Sequence, residues 1–345
     1  MANYKELDET LALVYDHATF EQIQALLRTR KGDENVKITA ETKEQIVYKN
    51  LRDAIDARAI DIEKVFDLIR DSEENGSQHI FYYKRKRSTP LEALAFDSVA
   101  RQLFGKDWET QLENFPAIKQ RPNSYQRSDF RKLPKRPSDW VLKVYGHTLV
   151  TRFTGKTEER QANHFWREYV TEDLRIVLMA RWNAPDLLEI RVQRNESRRR
   201  IEEWHNRMWE MLGPAVVRRQ FEPWELSKGI ANLITEQRNN KALYTFRDAS
   251  VIDKSGVHAT FQMYEDQGGD LFASIETRDS IEGYLSAKGD FKGLTVTWEK
   301  QKSGTPQKEL RVFLAARELH ETVVSAHSAR EDLDYVTNQL RQFNR

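Results

Sequence analysis

Arg200 and His205 could bring a guanidinium and an imidazole to one phosphate, because the spacing R-x-x-x-x-H falls within one helical stretch. The same stretch carries Arg194, Arg198, Arg199 and Arg207, so an Arg near a His is expected here from composition alone. Ile201, Trp204, Met208, Met211 and Leu212 recur at helical spacing and predict an amphipathic helix with that stripe inward. Packing explains the pattern more simply than catalysis does.

Other chemical signatures are weaker. Gly155-Lys156-Thr157 matches the end of a phosphate-binding loop, but the first glycine of G-x-x-x-x-G-K-[ST] is Val150, inside an expected strand. The eight histidines include no H-x-x-x-H pair. His320 and His327 are two helical turns apart, about 10.5 Å of rise, too far to share an ion. Asp290-Phe291-Lys292 offers the acid–x–Lys unit of a metal nuclease, yet nothing singles out the further carboxylates that Mg²⁺ would need. There is no G-x-S-x-G elbow and no dinucleotide-binding glycine pattern after a strand. Zero cysteines removes disulfides, thiolate metal sites and thiol nucleophiles together. No catalytic residue, metal ligand or cofactor is implied.

Positive charge is the remaining signal. The net charge of +1 conceals an asymmetry, with residues 1–78 at −6 and residues 79–145 at +7. Three clusters stand out: Lys84-Arg85-Lys86-Arg87; the proline-punctuated run from Lys119 to Arg136, with Arg121, Arg127, Arg131, Lys132, Lys135 and Arg136; and Arg198-Arg199-Arg200, with Arg218-Arg219 further on. Arg and Lys supply most phosphate contacts, and their attraction to the backbone dominates nucleic-acid affinity. Tyr83, Tyr125 and Phe130 interleave with the first two clusters and offer faces on which bases stack. The competing expectation is that the acidic first 78 residues dock on the basic segment and neutralise it.

These residues need elements to hold them. Hydrophobic content of 39% and 36 aromatic residues in 345 exclude a disordered chain. No apolar run approaches the roughly 20 residues of a membrane span, and the N-terminus lacks a secretory pattern, so a cytoplasmic location with no membrane partner is expected. Residues 1–78 read as an acidic helical domain, with Thr19 at an N-cap and Asn75-Gly76 as a stop. Residues 79–138 read as a basic connecting region: a short aromatic strand, a helix from Leu91 to Phe104, and a Pro-rich linker.

Residues 139–345 read as an α+β domain. Strands at 141–145 and 148–153 are expected to turn at Gly146, and a hairpin at Asn183–Asp186. Helices at 197–212 and 224–238 follow, then strands that include 271–277 and 283–287, then a C-terminal helix. Short connections favour antiparallel pairing. The fold class is therefore α+β, an N-terminal helical bundle followed by an antiparallel sheet with helices, in which a sheet/helix unit is loosely duplicated.

The function expected is a non-catalytic, DNA- or RNA-binding accessory component of a larger system. A protein adaptor recruiting its partner through the helical N-terminal domain is the alternative, and a metal-dependent nuclease the second.

Overall fold

The HIFYYKR run lies in strand β1 (Gln78–Arg85). Ile80 and Tyr82 enter one apolar cluster while Phe81 and Tyr83 enter another, because successive strand residues point to opposite faces. The computed structural model describes residues 4–117, 122–133, 136–161, 164–194, 197–240, 243–263, 269–286, 289–302, 304–315 and 318–345. Among these the fold is mixed α+β, built on one antiparallel sheet in which β1 is central.

The other strands are β2 (Gln126–Leu133), β3 (Arg136–Gln161), β4 (His164–Asn183), β5 (Leu187–Gln193), β6 (Phe221–Pro223), β7 (Tyr244–Ile252), β8 (His258–Gln262), β9 (Asp290–Trp298), β10 (Leu310–Leu314) and β11 (Glu321–Val324). They pair in the order β2-β3-β4-β5-β1-β11-β10-β9-β7-β8, with β6 added to β1. The segment expected to connect two halves thus supplies β1 and β2 to the sheet itself. None of the prolines of this stretch lies within β2, whose eight residues are QRSDFRKL.

Helices cover opposite faces of the two sheet halves. On the Phe81–Tyr83 face, α6 (Phe96–Phe104), α7 (Trp108–Leu112) and α8 (Arg198–Leu212) close a core with Trp140, Leu142, Leu178 and Ile190. On the Ile80–Tyr82 face, α9 (Ser227–Asn240), α10 (Ile275–Ser286) and α11 (Arg330–Phe343) close another with Tyr244, Phe246, Val296 and Trp298.

A third cluster belongs to the first 74 residues. It is built by α1 (Tyr4–His17), α2 (Phe20–Arg28), α3 (Lys43–Gln45), a π-helical stretch Ile46–Leu51, α4 (Arg52–Asp56) and α5 (Ile62–Glu74). Thr19 caps α2 in a reciprocal box with Gln22, and Asn75 ends α5.

Two sequence expectations are corrected. Gly146 is no turn: β3 runs through it, and residues 141–153 lie on one strand whose partner is β4. A Cβ at Gly146 would stand 2.4 Å from the Tyr125 ring, so the glycine provides space for a ring. The strands expected at 271–277 and 283–287 are instead, over their described residues, a 3-10 turn, Leu271–Ala273, and helix α10; Ala287 lies outside the described residues. Ser274 Oγ accepts from Thr277 N–H at 3.2 Å, which starts a helix from a segment rich in strand-forming residues.

Candidate nucleic-acid interface

Two cationic segments far apart in sequence meet at the C-terminal end of β1. Lys86 N–H donates to Gln220 O at 2.9 Å, and Thr89 Oγ1 donates to the same oxygen at 3.1 Å. Lys84 stands opposite Glu222 and Arg85 opposite Phe221 in the β1–β6 register. This joins Lys84, Lys86 and Arg87 to Arg218 and Arg219, which sit in the turn Arg218–Gln220. Lys84, Arg87, Arg218 and Arg219 are exposed, Lys86 is half-buried, and none of the five makes an ion pair among the described residues. Arg85 is different: its Nε donates to Pro185 O at 2.9 Å and its Nη1 to Thr89 O, so it braces the loop that carries the others.

The Lys119–Arg136 run does not form such a patch among its described residues. Arg121 and Lys135 lie outside them. Arg127 donates Nε and Nη2 to Met211 O at 3.1 and 2.9 Å, satisfying a carbonyl at the end of α8. Arg131 grips Glu74 and Asp129, Lys132 pairs with Asp97 at 3.1 Å, and Arg136 lies 3.8 Å from Asp139.

Arg198 opens α8, with its side chain outside the described set; Arg199 is exposed and Arg200 half-buried. Of the three aromatics, Tyr83 and Phe130 are each 2% exposed. Phe130 stacks on Phe96 at 4.6 Å. Tyr125 is half-buried, with the Arg207 guanidinium 5.1 Å over its ring.

Arg131 and its neighbours sit where the C-terminal turn of α5 seats on the polar face of the sheet. Lys143 Nζ lies 3.1 Å from both Glu73 and Glu74, and Arg175 pairs with Glu73. Burial alone would raise both carboxyls, but Lys143 with Arg175 at Glu73, and Lys143 with Arg131 at Glu74, outweigh it and hold each at about 2. His17, half-buried beside Arg175, is lowered to about 4, chiefly by loss of solvent. A polar cavity of about 110 Å³ lies here, lined by Asp16, His17, Glu73, Arg191 and His327 among others.

Two features escaped sequence reading. Beyond Tyr145 and Leu178, strands β3 and β4 pair only with each other among the described residues. From residue 149 outward they form a two-stranded arm of roughly 40 Å. Leu149, Phe153, Phe165, Trp166, Tyr169 and Val170 on it are each 45–62% exposed. Residues 148–173 hold four basic and five acidic side chains, so the arm is close to neutral. A sequence signal existed, since HFWREYV has strand-forming aromatics on both faces and no core-facing alternation.

The second feature is a chain through His205, Tyr83 and His320, beside the cationic patch. Tyr83 Oη is 2.7 Å from His205 Nε2 and 3.2 Å from His320 Nε2. Burial and the Arg218 charge lower His205 to about 3 and lower His320 as well. Arg200 and His205, five residues apart, therefore do not act together: His205 faces Tyr83 in the core.

Among the described residues no three His, Asp or Glu converge as metal ligands, and no helix is long and apolar enough to cross a membrane. Compared with known proteins, the chain matches no family model and no curated protein.

Proposed function

We propose that the chain is a non-catalytic nucleic-acid-binding component, contacting phosphates through Lys84, Lys86, Arg87, Arg218 and Arg219. One observation carries this reading: bonds from Lys86 N–H and Thr89 Oγ1 to Gln220 O gather five cations, none of them in an ion pair among the described residues, from two segments some 130 residues apart. Like charges are kept together at a cost, and an anionic ligand offsets that cost. In this reading residues 1–78 are a helical domain clamped to the sheet by Glu73 and Glu74, and the protein acts in the cytoplasm within a larger assembly.

The test is a reversal variant, Lys84→Glu, Arg87→Glu and Arg218→Glu combined, titrated with a labelled oligonucleotide over a range of salt. Binding should be lost, and single variants should each lower the salt slope by about 1. Undiminished binding by the triple variant sinks the patch as the site.

A protein adaptor is the second reading, and the β3–β4 arm favours it. Exposed aromatics with balanced charge suit a protein surface better than a phosphate backbone. An arm variant, Phe165→Ser with Tyr169→Ser, that assembles and binds nucleic acid normally would count against this second reading.

A further inference from the structure

A cleft of about 340 Å³ opens between α6 and the ends of β2 and β4. Leu91, Ala95, Phe96 and Trp182 give it an apolar lining. That volume and character are those of a small-ligand site. The Phe96 wall is fixed from behind and beside, because Phe130 stacks on its ring at 4.6 Å and Lys132 Nζ lies 4.8 Å from its centroid.

The polar groups of the cleft say what kind of molecule suits it. Lys132 pairs with Asp97 at 3.1 Å, and Glu92 adds a second carboxylate, so the rim is net negative and disfavours a phosphate. Its carboxylates accept hydrogen bonds. Trp182 supplies the opposite function, since an indole Nε1 can only donate. Trp140, the neighbouring buried indole, donates to Leu94 O at 2.8 Å, whereas Trp182 Nε1 has no acceptor among the described residues. A flat ring system with an amino donor and a ring acceptor on its edge answers both groups, and nucleobases carry that pair.

The cleft shares its walls with the cationic patch. Arg85 donates from Nε to Pro185 O at 2.9 Å and from Nη1 to Thr89 O, which holds the 86–89 turn against the β4–β5 hairpin. Ala184, beside Pro185, and Leu91, two residues past Thr89, both line the cleft. Lys86 and Arg87 belong to the same turn, closed by Thr89 N–H to Lys86 O at 3.0 Å. An apolar slot with an acidic rim next to cations matches a base next to its phosphate. A duplex keeps its bases stacked and paired, so only an unpaired base can enter. We infer that this cleft takes one unpaired nucleobase of a strand whose phosphates lie on Lys86 and Arg87, so that the patch selects single strands over duplexes. The inference rests on the nucleic-acid reading above.

Labelled single strands of DNA and RNA, their duplexes, and abasic strands that keep every phosphate test it by fluorescence anisotropy against the full chain. The native chain should bind an intact strand about tenfold tighter than its abasic counterpart or its duplex, the worth of one stacked base. Ala95→Trp fills the cleft from an exposed position, so intact-strand affinity should fall to the abasic value while abasic binding and the salt slope stay. Trp182→Phe keeps a ring in the core, removes the indole donor, and should shrink the preference in part. Equal affinity for intact and abasic strands in the native chain, or an undiminished preference in both variants, overturns the cleft as a base site and leaves the patch standing. Binding of no strand and no duplex overturns the patch and the base site together.

Discussion

Arg131 Nη2 meets both carboxylate oxygens of Glu74 at 2.7 Å and so ties β2 to the last turn of α5, 57 residues earlier. The side chains are 23% and 10% exposed, and Asp129 shares the guanidinium. The most prominent basic run in the sequence is thus occupied, in part, by the acidic helical segment.

Arg131→Met should destabilise the chain by about 1–3 kcal/mol, because it removes the two-oxygen contact to Glu74, which keeps Lys143, and leaves Asp129 with only Arg70, at 3.9 Å, among the described residues. Adding Glu74→Met should recover part of the loss. Urea unfolding of the native chain and both variants measures this. Additive losses in the double variant would show that the two side chains act independently.

Stability should fall with acid in two windows. His17 and His205 stay neutral when folded, at about 4 and about 3 against 6.5 unfolded, so the unfolded chain takes up protons first below pH 6.5. Glu73 and Glu74 sit at about 2 against 4.5, so their contribution is complete above pH 4.5 and is lost as pH falls towards 2. Melting temperature followed against pH reads both windows. A profile flat from pH 6.5 to 4.5 rejects the two neutral histidines, and His17→Gln should flatten that window in part.

Gly146→Ala should cost about 1–3 kcal/mol, since the new methyl would overlap the Tyr125 ring. Tyr125→Ala in the same chain should relieve most of that strain. Thermal unfolding of the single and double variants decides whether the ring is the obstacle.

Phe165→Ser with Tyr169→Ser should change stability by no more than about 0.5 kcal/mol, because both rings project from the arm into solvent. A large loss in urea unfolding would mean that the arm packs against the body in solution.

Local signals were legible in the sequence where neighbours along the chain decide the outcome. Thr19 and Gln22 announce the start of α2, Asn75 the end of α5, and Asn183–Asp186 the β4–β5 hairpin. The mixed α+β class follows from such signals. Long-range pairing was not legible. β1 pairs with β11 some 240 residues away, and nothing in HIFYYKR tells which strands will flank it.

The same limit applies to the site. Lys84–Arg87 and Arg218-Arg219 are each visible as charge, but their union depends on the β1–β6 register. Arg131 reads as a free cation until Glu74 is seen against it. Tyr83 and Phe130 read as stacking rings, whereas in the fold they pack in the core. Aromatic residues beside basic ones are as much a mark of a strand entering the interior as of a surface that meets bases.

The sheet narrows to four residues at β11, which holds β1 by the register pairs Gln78–Val324 to Phe81–Glu321 and β10 by three more. Every strand to either side is longer, apart from β6 on its spur. Tension applied between the β3–β4 arm and the far edge at β8 would therefore concentrate on this waist. What resists that tension besides β11 is the core beneath it, where Ile80, Tyr82 and Leu187 pack with the residues of α11, and the Arg181–Asp334 and Arg341–Asp186 pairs that tie α11 to the other side.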